Sequence, residues 1–175
     1  MEVCYKLNMN DLVTFQKDTV NTLPYFLKRK RLLGLFVAII YLVGVSFLIK
    51  NYWIYKMIAA AFVYLISSQY IFKYGLIMET KRLVQNNPNY LDPYYKLTIY
   101  DDKFIREFDG TVQQIDWKSI NYVNEDDKRF FIYVSEIKRL VIKKVPDSLN
   151  QEQILEYNNK IRKCLNDAGI TIKKV

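Results

Sequence analysis

A chain of 175 residues leaves room for roughly one globular domain, and any stretch spent in a bilayer leaves less. The net charge of +8 is uneven: residues 1–72 carry eight Lys/Arg against three Asp/Glu, and residues 73–175 carry eighteen against fifteen. The near-balanced second part has no long basic stripe for a phosphate backbone, which excludes nucleic acid as a partner. With no histidine and only Cys4 and Cys164, neither a metal set nor a disulfide framework is indicated.

In chain order, Val3 to Leu7 has a short strand pattern, and Asn10-Asp11 offer a cap for a helix running to about Val20, which Leu23-Pro24 breaks. The densest basic cluster, Lys28-Arg29-Lys30-Arg31, completes an N-terminal segment 1–31 and directly precedes an apolar run. That run, Leu32 to Ile49, has no charge and as a helix would measure about 27 Å, close to the hydrocarbon thickness. Buried helices of soluble proteins with such composition are typically about 10–14 residues long, so a spanning helix is expected. A signal peptide is disfavoured, because thirty-one residues precede the run and no small-residue cleavage pattern follows it.

A second apolar stretch, 54–72, contains Ser67, Ser68 and Gln69, with Lys56 placed to snorkel to the interface. Residues 32–73 are thus expected to form a transmembrane hairpin with spans 32–49 and 54–72, and the two serines and Gln69 could hydrogen-bond between them. Neither span contains Asp or Glu, so the usual sign of an ion or proton pathway is missing. Four basic residues lie before the first span and Lys73, Lys81 and Arg82 after the second, against Lys50 and Lys56 between them. This asymmetry predicts a multi-pass protein of the cell membrane with both termini in the cytoplasm. The unpaired cysteines fit a reducing compartment.

Residues 74–95 read as a juxtamembrane helix and linker, with Leu76, Ile77, Thr80, Leu83 and Val84 at helical spacing. From Lys96 the period becomes two, between turn signals at Asp101-Asp102, Asp109-Gly110 and a solvated acidic turn Glu125-Asp126-Asp127. The run Phe130-Phe131-Ile132-Tyr133-Val134 lacks polar alternation, so its strand is expected to be covered on both faces. The cover is a last helix, capped by Ser148 or Asn150 and presenting Ile154, Tyr157, Ile161, Cys164, Leu165 and Ala168 on one side. The fold class expected is α+β: a two-helix transmembrane hairpin plus an antiparallel, pleckstrin-homology-like β-domain over 96–175, closed by a C-terminal helix.

Nothing in the sequence supplies a nucleophile elbow, a phosphate loop or a metal cluster, so no enzyme and no cofactor is expected. Trp117 and Cys164 read as packing residues. Lys28, Arg29, Lys30 and Arg31 could each contribute roughly 1 kcal/mol beside a negatively charged leaflet, or simply set topology. Lys143 and Lys144, at a strand end, complete the set of candidate contacts to anionic lipid headgroups or a partner protein.

Several segments together resemble the YcxB-like family of bacterial membrane proteins: Tyr5-Lys6-Leu7-Asn8 with Asp11 to Phe15, the basic stretch before a two-helix hairpin, and Ile115-Asp116-Trp117-Lys118-Ser119-Ile120 before the aromatic strand Phe130 to Tyr133. The Trp117/Ile120 element is the most characteristic piece. After its last strand the family usually has an apolar-Pro-Lys motif and an aromatic residue, where this chain has Val141-Ile142-Lys143-Lys144-Val145-Pro146-Asp147. The resemblance implies a pleckstrin-homology-like C-terminal domain and a binding or scaffolding role at the bilayer, without enzymatic activity. Immunity against a membrane-active bacteriocin, with an antimicrobial peptide as partner, is the alternative it raises.

Overall fold

The computed structural model describes residues 1–48, 51–86, 91 and 94–175, which form two compact units in an α+β protein. One comprises residues 1–15 and 83–175, the other residues 16–82.

The first unit holds two four-stranded sheets. In one, β1 (Glu2–Lys6), β2 (Tyr94–Ile99), β3 (Lys103–Phe108) and β4 (Thr111–Asp116) lie in chain order, all antiparallel. The other has the order β7 (Arg139–Lys143), β6 (Arg129–Tyr133), β5 (Tyr122–Glu125), β8 (Ile172–Lys174), with β8 parallel to β5. The domain boundary expected at Lys96 is therefore corrected. Val3 pairs with Leu97 and Tyr5 with Tyr95, so the N-terminal strand is part of the sheet that the later chain completes. Strand alternation required this, because Val3 and Tyr5 are buried and need a sheet to share a face with.

The tight turn between β3 and β4 uses Asp109 (φ 46°) and Gly110 (φ 70°), the two positive-φ positions that a twisted two-residue hairpin demands. Trp117 opens a one-turn 3-10 helix, Trp117–Ser119, directly after β4. Its ring is buried against Phe104 at 4.8 Å between centroids, and its indole N–H donates to the Tyr100 carbonyl at 3.0 Å. Ile120 is buried beside it in sequence, so both residues of the Trp117/Ile120 element are core. Strand β6 is buried at every position from Arg129 to Tyr133.

Helix α5 (Gln151–Asp167) starts with a reciprocal cap in which Asn150 and Gln153 each accept the other's backbone N–H. Its buried residues are Tyr157, Ile161, Cys164 and Leu165, four of the six expected on that face from their spacing; Ile154 and Ala168 are half-buried. Ser148 has another task. Its hydroxyl accepts the Cys4 N–H, and the Asp147 carboxylate accepts the Lys6 N–H, so the loop before α5 closes the outer edge of β1.

Helix α1 (Met9–Thr22) is capped by Asn8 rather than Asn10: Asn8 Oδ1 accepts the Asp11 N–H while Asp11 Oδ2 accepts the Asn8 N–H. The expectation failed because Asp11, read as the cap, is the third helical residue and answers it.

In the second unit, Pro24 begins α2 (Pro24–Leu48), a position where its missing N–H costs nothing. The chain then continues as α3 (Trp53–Ile66), a π-helical segment Ser67–Ile71 and α4 (Phe72–Asn86). Both spans are longer than the apolar runs, and the expected juxtamembrane helix is the continuation of the second, not a separate element. Residues 49, 50, 87–90, 92 and 93 of the expected span end and linker lie outside the described residues.

These two helical segments are long and apolar enough to cross a membrane. In their most apolar windows only 6% and 17% of the residues are buried within the molecule, the reverse of a core helix. Leu35, Phe36, Ile39, Ile40, Val43 and Phe47 on α2, and Phe62, Leu65 and Ile66 on α3, are exposed. The two segments approach closely at Gly34, where an added Cβ would lie 2.7 Å from Ser68 Cβ. Ser67 and Ser68 do not bond across the hairpin as expected. Their hydroxyls donate to carbonyls of their own helix, Val63 and Tyr64 for Ser67 and Leu65 for Ser68.

Candidate functional site

Two side chains lock α5 onto the end of β7. The Tyr157 hydroxyl donates to the Lys143 carbonyl at 3.0 Å, and the Asn158 amide donates to the Lys144 and Ile154 carbonyls at 2.9 and 2.8 Å. Beyond that seam, the first half of α5, the turn between β5 and β6, the residues after β7 and the chain end after β8 enclose an open cleft of about 710 Å³.

The floor of the cleft is a charged cluster. Glu125, 5% exposed, accepts from Lys144 Nζ at 2.9 Å and from Arg162 Nη2 at 3.0 Å. Lys144 also donates to the Asp126 carbonyl, and its ammonium and the Arg162 guanidinium lie 4.9 and 5.7 Å from the Phe130 ring centroid. Burial alone would push the Glu125 carboxyl up, but the hydrogen bonds and charges of Lys144 and Arg162 outweigh that and hold it below the ordinary carboxylate range.

A second cluster adjoins the first through Asp126. Arg129 donates from Nη1 to Asp126 at 2.7 Å and from Nε to Asp11 at 2.6 Å. Burial opposes its charge, and these carboxylates more than restore it, so the guanidinium is held above its ordinary pKa.

The rim is different in character. Leu155, Val145 and Val175 are more than half exposed around the charged floor, and among the described residues the buried Asn158 Oδ1 finds no hydrogen-bond donor. Cations already spent on Glu125 make a poor phosphate cradle. An apolar rim over a polar, neutralised floor suits a polypeptide segment, whose side chains seek the rim and whose backbone finds donors and acceptors below. Among the described residues no three His, Cys, Asp or Glu side chains converge to hold a metal.

The candidate basic residues fall into two groups in different units. Lys28, Arg29, Lys30 and Arg31 lie early in α2, with Lys28, Arg29 and Arg31 exposed and Arg29 stacked over the Tyr25 ring at 4.6 Å. Lys143 is held 3.9 Å from both Asp11 and Asp147. Lys144 is corrected from a surface contact to a buried member of the cluster, because Glu125 draws it inward. The acidic turn is corrected with it: Glu125 is buried and Asp126 is bonded to Arg129, leaving Asp127 as its exposed acid.

Cys164 is buried with its thiol 3.7 Å from the Tyr100 carbonyl, and burial pushes its pKa up, so it is a packing residue and not a nucleophile. Arg129 and Arg162 were not singled out from sequence, and Asp11 and Glu125 were read only as a helix cap and a solvated turn. The one available signal was Arg129 heading a strand with no polar alternation, a place where a charge must find a partner. No family model, curated protein or solved structure matches this chain.

Proposed function

We propose that this chain is a membrane-anchored binding protein of the YcxB-like type. In this reading α2 and the helix beginning at α3 cross the cell membrane, Lys28 to Arg31 meet anionic headgroups, and both termini lie in the cytoplasm. The sheet unit is then a pleckstrin-homology-like domain that holds a segment of a partner protein in the α5 cleft. It acts by binding, without chemistry.

The observation that carries this is the insertion of an apolar hairpin between two neighbouring strands of one sheet, β1 and β2. The domain is thereby joined to the hairpin by two covalent leads instead of one. Confinement to the bilayer raises its effective concentration toward membrane partners, so weak contacts in an open cleft suffice. The pleckstrin-homology-like assignment is supported by the element order: a four-stranded meander, a three-stranded meander β5 to β7, and a helix.

A photoreactive side chain introduced at Leu155 or Val145 tests the cleft in growing cells. Each should give the same cross-linked protein partner, while the still more exposed Ile137, on the turn between β6 and β7, should not. Adducts from Ile137 but none from the cleft would overturn the assignment.

A further inference from the structure

The four edges of the two sheets are not treated alike. The outer edge of β1 is closed by Asp147 and Ser148. On β7, the carbonyls of Val141 and Lys143 accept the hydroxyls of Tyr5 and Tyr157. Strand β8 is only three residues long, which is itself a protection. The remaining edge, β4, is six residues long.

Its free groups can be assigned. The Trp117 N–H donates to the Asp102 carbonyl, and Phe108 and Thr111 flank a two-residue turn, so the hydrogen-bonded pairs of this hairpin are Phe108 with Thr111, Arg106 with Gln113 and Phe104 with Ile115. The N–H and C=O groups of Val112, Gln114 and Asp116 therefore face outward. Among the described residues nothing bonds those of Val112 and Gln114. Val112 is 65% exposed, and Gln114 and Asp116 are exposed as well.

Natural edges of this length are guarded by lysine, proline or a bulge. Thr111-Val112-Gln113-Gln114-Ile115 contains neither lysine nor proline and pairs with β3 in unbroken register, and the one charge in β4 is Asp116, its last residue. We propose that the β4 edge is a self-association surface, and that two copies of this chain join there by antiparallel strand addition.

The occupant follows from complementarity. A two-fold register centred on Gln114 sets Gln114 opposite Gln114 of the second copy, each amide offering both donors and an acceptor. It sets Val112 opposite Asp116, so no like charges meet. The outward N–H and C=O groups of the two strands then fall in step. This surface is distinct from the α5 cleft and stands whether or not a protein segment binds there.

The test uses the full-length protein in micelles and in bilayer discs, with the association constant measured for wild type, Val112→Pro and Gln114→Lys. Proline at 112 removes an N–H that no ladder bond uses. Lysine at 114 sets two like charges opposite one another while leaving the core untouched. Wild type should be dimeric, and each variant should associate at least about tenfold more weakly with circular dichroism unchanged. Should Val112→Pro fail to fold, Gln114→Lys alone decides. A monomeric wild type in both media, a dimer that survives Gln114→Lys, or a foreign polypeptide on β4 of a monomeric chain would each overturn the proposal.

Discussion

Arg129 Nε donates to Asp11 Oδ1 at 2.6 Å, a buried ion pair that joins the first turn of α1 to the head of β6 across 118 sequence positions. Both side chains are about 5% exposed or less, and Arg129 has Asp126 as its second carboxylate. Removing Asp11 strands part of a guanidinium charge away from water. Asp11→Ala should cost about 3 kcal/mol of stability, as expected for breaking a buried pair from one side. Chemical unfolding of the full-length protein in micelles, followed by Trp117 emission in a Trp53→Phe background, measures it. A loss below about 1 kcal/mol would show that the pair behaves like an exposed one.

Glu125 gives the acid limb of stability its sign. Its carboxyl, lowered by Lys144 and Arg162 despite burial, sits below the ordinary value of 4.5, so near that pH the unfolded chain holds more protons than the folded one. The stabilisation is complete above that value and is lost as pH falls through the folded pKa. Glu125→Gln should flatten this part of the stability profile, and it should lower stability at neutral pH because two cations lose their partner. An unchanged slope would remove Glu125 from the account.

The alkaline limb has the opposite sign. Burial pushes Tyr157 well above its ordinary 10.0 and Tyr5 above the same value, so both contribute stability that is present below pH 10 and lost as pH rises through their folded pKa values. Tyr157→Phe should reduce this loss, at a cost of about 1 kcal/mol near neutrality for the hydrogen bond to Lys143. A variant that declines above pH 10 as steeply as wild type would argue that other groups govern that limb.

Gly34 should be intolerant of a side chain and Gly44 tolerant. A Cβ on Gly34 meets Ser68 at 2.7 Å, whereas one on Gly44 meets nothing within 4 Å. Gly34→Val should lose about 1–3 kcal/mol through overpacking, and Gly44→Val should stay within about 0.5 kcal/mol of wild type. Thermal unfolding in micelles compares them. Equal effects would mean that the helices do not meet where the structure has them.

The apolar spans, the meander and the last helix were legible because each repeats a period over many residues: Leu32 to Ile49 without a charge, alternation from Lys96, and Tyr157, Ile161, Cys164 and Leu165 on one helical face. What sequence could not reveal depends on pairing across distance. Val3 and Tyr5 carry a strand signal but nothing that says their neighbour is β2, some ninety residues on. Lys144 and Glu125 looked like ordinary surface charges, since a lysine after a strand and an acid at a turn are usually solvated. Only their meeting over the Phe130 ring turns both inward.

The most direct test of the account is which side of the bilayer each end of the hairpin faces. In a Cys4→Ser background, with Cys164 buried and poorly reactive, single cysteines are placed at Asn51, between the spans, and at Ile137, which is 93% exposed on the sheet unit. A membrane-impermeant thiol reagent should label Asn51→Cys in intact cells and Ile137→Cys only after permeabilisation. Labelling of Ile137→Cys in intact cells, or of both positions on the same side, would contradict a two-span anchor carrying a cytoplasmic binding domain.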